Sequence, residues 1–406
     1  MLWMCFHAAF YFAFPLICIN FVPGFSALLH NSIKHLHEKK KPCCLKQKYI
    51  IYMHDKTKNN GFAMPAEWHE QDAVQLTWPH EGTDWKPILD KIIQVYVEMA
   101  VEIARREKLI IVSPEPEKAL GEIEKVATPD VMANIVTFEC PTDDTWARDH
   151  GFITLLGNGS TRMLDFKFNG WGEKFAASKD NAINRRLYDS GMFAGSYADD
   201  LDFVLEGGSI ESDGRGTVFT TSGCLLAPHR NQPMARQEIE NRLKKTLCAK
   251  RIVWIDHGNL SGDDTDGHID TLVRVAPDDT LLYVGCDDPE DEQYEDLQLM
   301  ERQLRSLRTA DGRSYRLLKL PMPRKIVADG ERLPATYANF LPINGAVLCP
   351  VYGQPDLDSE ALSLIAEAFP GRKVVGIDCR SVVVQHGSLH CCTMQFPKGS
   401  LAARLL

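Results

Sequence analysis

Two rhythms of apolar residues alternate along the chain from residue 64 onward. AVQLTWP (73–79) is a short apolar run with β-favouring residues and predicts a strand. The stretch after it places Ile88, Leu89, Ile92, Ile93, Val97, Met99, Ala100 and Ile103 mostly on one helical face, with Thr83 or Asp84 as the cap. KLIIVSP follows at once and predicts a buried strand. The same handover recurs three times: a helix near 234–249 leads to RIVWID, one near 293–309 to YRLLKL, and one near 358–369 to KVVGID. Hairpin pairs lie between them, such as GFITLLG and TRMLDFKF around Asn158–Gly159, a dipeptide that accepts the positive φ of a tight turn. The pattern is a repeated strand-strand-helix-strand module with irregular spacing and no linker. It favours one closed ring of α/β modules, with a doubly wound sheet as the competing architecture. The acidic run DDPEDEQYED (287–296) reads as a solvated loop and helix start.

The first 60 residues follow neither rhythm. Residues 1–33 contain no Lys, Arg, Asp or Glu, and positive charge arrives only at Lys34 and in HLHEKKKPCCLKQK. A secretory signal carries its charge before the apolar core, so this order argues against one. Insertion of residues 2–29 would leave the rest in the cytoplasm under the positive-inside rule; the alternative is an extension outside the working protein, with the true start near Met64. The expected organisation is an extension over 1–63, one catalytic domain over 64–400 and a short tail over 401–406.

Composition narrows the function. A formal net charge of −10 excludes a nucleic-acid partner and suits a cationic ligand. Twelve cysteines without a C-x-x-C signal neither a zinc ribbon nor a thioredoxin motif and fit a reducing compartment. No G-x-G-x-x-G or Walker loop supports a nucleotide cofactor.

Four segments place unusual polar residues at predicted strand ends, where α/β proteins collect function. In DDTWARDHG (143–151), carboxylates including Asp144 and Asp149 flank Trp146; taken alone the segment reads best as a capped turn with a weak surface Arg–Asp pair, although a carboxylate beside an aromatic face also suits a flat cation. In FVLEGGSIESDG (203–214), a strand delivers Glu206 into Gly207–Gly208, where it can orient a histidine or merely face water. In GDDTDGHIDTLVRV (262–275), His268 and Asp270 are two apart and share one face if the segment is a strand; the aspartates before them fail the EF-hand spacing. In QHGSLHCCTMQ (385–395), His386, His390, Cys391 and Cys392 crowd seven positions. A zinc reading lacks a partner motif, and a Cys391–Cys392 disulfide is strained. In an extended segment one thiol faces the ring interior and the other the packing, which leaves a nucleophile served by a distant histidine as the better reading.

Taken together, these segments resemble the agmatine deiminase and bacterial-type peptidylarginine deiminase family of guanidine-modifying pentein enzymes. MPAEWHEQDAVQLTWP, DDTWARDHG, LDFKFNGWGEKF, LEGGSIESDGRGT, CLLAPHRNQ, DDTDGHID and GSLHCCTMQFP match in family order across 64–397. The resemblance implies a five-bladed α/β propeller, Cys391 as nucleophile, His268 as general acid–base, Asp149 and Asp270 as guanidinium anchors, and Glu206 against His268. Asp264 would sit near the substrate tail, with Asp144 also at the pocket and Trp78, Trp146 and Trp171 as its walls. It implies no metal or organic cofactor, a small cationic guanidine as partner, and hydrolysis of agmatine to the polyamine precursor N-carbamoylputrescine in the cytoplasm; a homodimer is compatible with the sequence. One departure is HGSLHC, where agmatine deiminases often read G-G-G-N-I-H-C. Peptidylarginine, or free arginine with Arg230 meeting its carboxylate, is the alternative substrate. A non-catalytic pentein-type binding protein and a Cys–His amide hydrolase are readings of other classes.

Overall fold

The computed structural model describes residues 61–406. Expectations that rest on residues 1–60 lie outside the described residues. Among those described, no helix is long and apolar enough to cross a membrane.

The dominant feature is one sheet pattern used five times: an antiparallel pair followed by a parallel partner. Ile153–Gly157 pairs antiparallel with Ser160–Lys167, which pairs parallel with Ser196–Val204. The same order joins Ile210–Ser212, Thr217–Thr221 and Arg251–Ile255. It recurs in Val273–Ala276, Thr280–Val284 and Arg316–Leu320, and again in Leu341–Ile343, Ala346–Val351 and Lys373–Asp378. The fifth sheet of this pattern carries a fourth strand, and Val327–Ala328 pairs with Glu331–Arg332 in a separate two-stranded sheet. In the fifth sheet, Gln71–Thr77 pairs antiparallel with Thr393–Pro397 and parallel with Lys108–Ser113, which pairs with Ile135–Glu139. The strand from the far C-terminal region therefore completes the sheet begun at residue 71.

The local causes are those the sequence displays. The middle strands carry apolar runs because they are buried on both faces, the condition of parallel strands covered by helices. Helix Leu89–Ala104 buries Ile92, Val95, Tyr96, Met99, Ala100 and Ile103, a three-and-four spacing that keeps one face in the core. It starts later than the sequence predicts. Thr83 donates its hydroxyl to the His80 carbonyl instead of capping the helix, and Lys86–Ile88 forms a separate 3-10 turn. Helices Arg236–Thr246, Tyr294–Ser306 and Pro355–Ala368 lie where their periodicity places them. Asn158 (φ 54°) and Gly159 (φ 71°) make the predicted hairpin turn.

Two ends tie into this body. Ala63 bridges Leu156. Leu401 bridges Phe193 and is buried, so part of the stretch read as a tail packs on the body.

Candidate active site

Each predicted catalytic segment ends in a tight turn rather than a strand, and the turns converge. Ala147–His150 is a single helical turn that buries Asp149. Glu206 precedes the 3-10 turn Gly207–Ser209. His268 precedes the 3-10 turn Ile269–Thr271, which holds Asp270, and His390–Cys392 is another. Two sequence expectations change accordingly. His268 and Asp270 do not share a strand face; a turn aims them. Cys391 and Cys392 diverge as expected, but through a turn and not an extended backbone: Cys391 lines the cavity, while Cys392 points to the Ser388 carbonyl, 3.4 Å away.

Gly208 marks the point of convergence. A Cβ added there would lie 2.6 Å from His268 Nδ1, 2.9 Å from Asp149 Oδ1 and 3.2 Å from Asp270 Oδ2. The glycine is thus the gap through which an acid–base and two carboxylates approach one another. Its N–H donates to Asp149 Oδ1 at 3.0 Å, and Trp171 Nε1 donates to Asp149 Oδ2 at 3.0 Å. Cys391 Sγ lies 3.8 Å from Asp270 Oδ2 and 3.4 Å from Asn339 Oδ1. Asp270 Oδ1 and both ring nitrogens of His268 are buried without a hydrogen-bond partner. Buried polar atoms are normally satisfied, so the bare Asp270 Oδ1 points to a ligand that donates hydrogen bonds.

The electrostatics fit a cation-binding pocket. Burial, with a contribution from Asp270, pushes the Asp149 carboxyl up to about 6 although His268 opposes the shift. Burial acts the same way on Asp270, but the His390 hydrogen bond and nearby positive charge outweigh it and hold this carboxyl low. Burial disfavours charge on His268 as well; the facing Asp149 carboxylate, Cys224 and Glu206 overcome it and raise the imidazole well above its ordinary value. Cys391 is pushed up, first by burial and then by Asp270 and Asp149. In the empty site the nucleophile is a thiol, the acid is charged, and one anchor titrates near neutrality. The expected consequence is that kcat/KM falls below about pH 6, as Asp149 takes up the proton that displaces the cation; Asp149→Asn should remove this limb from the residual activity.

The cavity that exposes Cys391 has a volume of about 310 Å³ and is lined by Asp84, Asp144, Asp149, Asp263, Asp264, Trp146 and Trp171 among others. Trp146 Nε1 donates to Asp144 at 3.0 Å, and burial lifts Asp144 to about 7. Asp264 also lines the cavity. Trp78 does not: it packs edge-on against Tyr96 and borders a different cleft with His80, Leu89 and Glu115. Gly387 lies against Trp146, where a Cβ would come within 2.2 Å of the indole. Arg230, considered as a carboxylate partner, is spent elsewhere. Its fully buried guanidinium binds Glu206 at 2.8 Å, the Thr265 carbonyl at 3.0 Å and Asp266 at 2.5 Å. Glu206 itself lies with Cys224 and His268 in a group whose donor atoms fall within 4.8 Å of one another. Arg230 already balances the Glu206 charge, so nothing in this group calls for a metal.

Residues that sequence reasoning did not select also build the site. Asn339 Oδ1 accepts from the backbone N–H groups of His390 (2.9 Å) and Cys391 (3.3 Å) and so fixes the turn that carries the thiol. His390, weighed only as a zinc ligand, contacts Asp270. No local pattern announces an asparagine of this kind, because its partner lies 52 residues away.

Comparison with known proteins finds relatives along most of the chain. The model of the Porphyromonas-type peptidyl-arginine deiminase family matches residues 63–397. A putative agmatine deiminase of Selenomonas ruminantium is 35% identical over 373 residues, covering 84% of this chain and 97% of that protein. A putative arginine deiminase structure from Porphyromonas gingivalis is 49% identical with a TM-score of 0.80, covering 84% of this chain and all of that one. An agmatine deiminase from C. jejuni with a cysteine-to-serine change and bound substrate is 36% identical with a TM-score of 0.78, covering 84% and 97% of the two chains.

Proposed function

Because this chain belongs to the Porphyromonas-type peptidyl-arginine deiminase family, we propose that it hydrolyses a guanidine C–N bond, with agmatine as substrate and N-carbamoylputrescine and ammonia as products. Relatives named agmatine deiminase align with it over nearly their whole length. The observation that carries the substrate choice is the sign of the cavity. Four aspartates, Asp84, Asp144, Asp263 and Asp264, line it in addition to Asp149, and the lining includes no lysine or arginine. Agmatine is cationic at both ends, whereas free arginine would bring its carboxylate among these acids with Arg230 already occupied.

The reaction follows from the residues in place. Asp149 and Asp270 accept N–H groups of the planar guanidinium, the latter through its free Oδ1, and aim the carbon at Cys391. The incoming cation lowers the cost of the thiolate, which burial and the two aspartates otherwise oppose; the thiol gives its proton to water as the substrate enters, and the sulfur regains one when the product departs. Attack forms a C–S bond and a tetrahedral carbon. Protonated His268 donates to the leaving nitrogen, the C–N bond breaks and ammonia departs, leaving a thiouronium on Cys391. His268, now neutral, takes a proton from water as the oxygen adds to that carbon. Collapse expels the thiolate and releases the urea product. Glu206 stands against His268 and favours its charged form, and Trp146 and Trp171 wall the pocket. A reaction that depends on a free thiol fits the reducing cytoplasm.

We read the five sheets that share this strand pattern as blades of an α/β propeller. The shared strand order supports this, as does a first sheet completed by Thr393–Pro397, the pairing a closed ring needs.

Ammonia release from agmatine, free arginine and a peptide with internal arginine tests the substrate. The expected order puts agmatine first, by at least about tenfold in kcat/KM over arginine. Activity on the peptide alone would overturn it. That outcome has a physical route, because Phe175 and Val384 leave apolar surface exposed at the cavity.

A further inference from the structure

Behind Asp270 runs a buried chain of polar contacts that the reaction above does not use. His390 Nδ1 lies 2.8 Å from Asp270 Oδ2. On the other side of the ring, Nε2 lies 2.9 Å from both carboxylate oxygens of Glu67 and 3.1 Å from Arg274 Nη2. Arg148 donates to Glu67 at 3.0 Å, and Arg274 at 2.5 Å. Arg274 is fully buried and also grips Glu211 and the carbonyls of Ala338 and Phe340. Glu67 borders a second small cavity with Met64, Arg148 and Met394, whose lining shares no residue with the cavity of Cys391. A ligand confined to the cavity of Cys391 therefore does not touch Glu67.

We propose that Glu67 and His390 are positioning residues that hold Asp270 in place, with its Oδ2 engaged and its Oδ1 left for the guanidinium.

The chemistry of the chain fixes the direction of each contact. Asp270 sits low and brings no proton, so His390 Nδ1 carries the one between them. Arg274 can donate to Nε2, and Glu67 can accept from it; both arrangements leave Nδ1 as the donor that Asp270 requires. Burial pushes Glu67 up, but His390, Arg148 and Arg274 outweigh it and hold the carboxyl well below its ordinary value. The two arginines also reach the charge of His390 itself, which burial, Arg148 and Arg274 depress while Glu67 and the Asp270 hydrogen bond raise it. Metal sites use the same device, in which an outer carboxylate orients a histidine that orients a ligand atom. Here the oriented atom is a carboxylate oxygen that grips an organic cation.

The proposal rests on the guanidine reading, and its test is independent of turnover. Iodoacetamide alkylates Cys391, and methylguanidine, which fills only the anchor site, protects it. Protection is titrated in the wild type, His390→Leu, His390→Asn, Glu67→Gln and the double variant Glu67→Gln/His390→Leu, with the unprotected alkylation rate as the control. His390→Leu should raise the half-protecting concentration at least about tenfold, and His390→Asn, whose amide N–H can stand in for Nδ1–H, should recover most of that. Glu67→Gln should raise it at least about threefold with the unprotected rate within about twofold of wild type, and the double variant should be no worse than His390→Leu alone, as residues in one chain of contacts are non-additive. Should His390→Leu fail to fold, Glu67→Gln and His390→Asn decide the matter. Protection by methylguanidine unchanged in Glu67→Gln, or multiplicative losses in the double variant, overturns the proposal. A wild type that methylguanidine protects but that leaves agmatine intact refutes only the substrate; a wild type it does not protect refutes the guanidinium site and the positioning role together.

Discussion

Replacing Cys391 with alanine is expected to abolish ammonia release from agmatine, lowering kcat by about 10⁵-fold or more, while agmatine still binds. The size of the effect follows from the chemistry. A guanidinium carbon is a poor electrophile, and no other described side chain is placed to attack it: Cys392 is buried on the opposite side of the turn with its sulfur on the Ser388 carbonyl, and Cys224 sits with Glu206 and His268 and does not line the cavity. Binding should survive because groups other than the sulfur hold both anchors. Asp149 is held by Gly208 N–H and the Trp171 indole, and Asp270 by His390. Alanine also removes a thiol that the carboxylates keep protonated, so affinity should stay within a few-fold of wild type. Steady-state ammonia assay and calorimetric titration of the variant read the two halves separately. Loss of binding together with activity would mean that the sulfur, rather than the aspartates, organises the pocket.

The second large effect is expected from a residue with no side chain. Gly208→Ala should lower kcat/KM roughly a thousandfold in a protein that still folds. The added methyl group would stand 2.6 Å from His268 Nδ1, 2.9 Å from Asp149 Oδ1 and 3.2 Å from Asp270 Oδ2. The first two separations are closer than real Cβ contacts come, so at least two groups must move. One is the acid–base and the other an anchor. Misplacement of about 1 Å can cost a hundredfold by itself, and loss of positioned proton transfer adds a comparable factor. Backbone strain plays no part, since Gly208 is not among the glycines with positive φ. The damage is thus confined to the site. Circular dichroism matching wild type, combined with wild-type activity, would show that the three groups have slack the structure does not display.

Much of this architecture was legible in the sequence, for a definite reason. Helices such as Leu89–Ala104 and the strands that follow them bury long apolar stretches, and burial of that kind leaves a periodic trace. The hairpin at Asn158–Gly159 announced itself through residues that tolerate positive φ. The short turns did not. Residues 147–150, 207–209, 269–271 and 390–392 are too brief to show a period, so the sequence offers a strand as readily as a turn for His268 and Asp270. The distant partners were hidden for another reason. Asn339, Arg274 and Glu67 serve Cys391, His390 and Asp270 across 51 to 323 residues of chain, and nothing local marks a polar residue as buried. Trp78 shows the converse error. It lies in a stretch that resembles the family, yet its indole packs in the core beside Tyr96, because a tryptophan near a strand end serves packing as readily as recognition. The change in role of Arg230 has a similar origin: only the folded chain shows that Glu206, Thr265 and Asp266 already claim its donors.

The central claim is that one sulfur forms a covalent bond with the guanidinium carbon while two aspartates hold the cation. Acid quenching of the wild-type enzyme during turnover of agmatine, followed by mass spectrometry of the digested chain, tests it most directly. The account predicts an adduct with the mass of agmatine less ammonia, on the peptide containing Cys391. Steady ammonia release with that peptide always unmodified, or with the adduct on another residue, would contradict it.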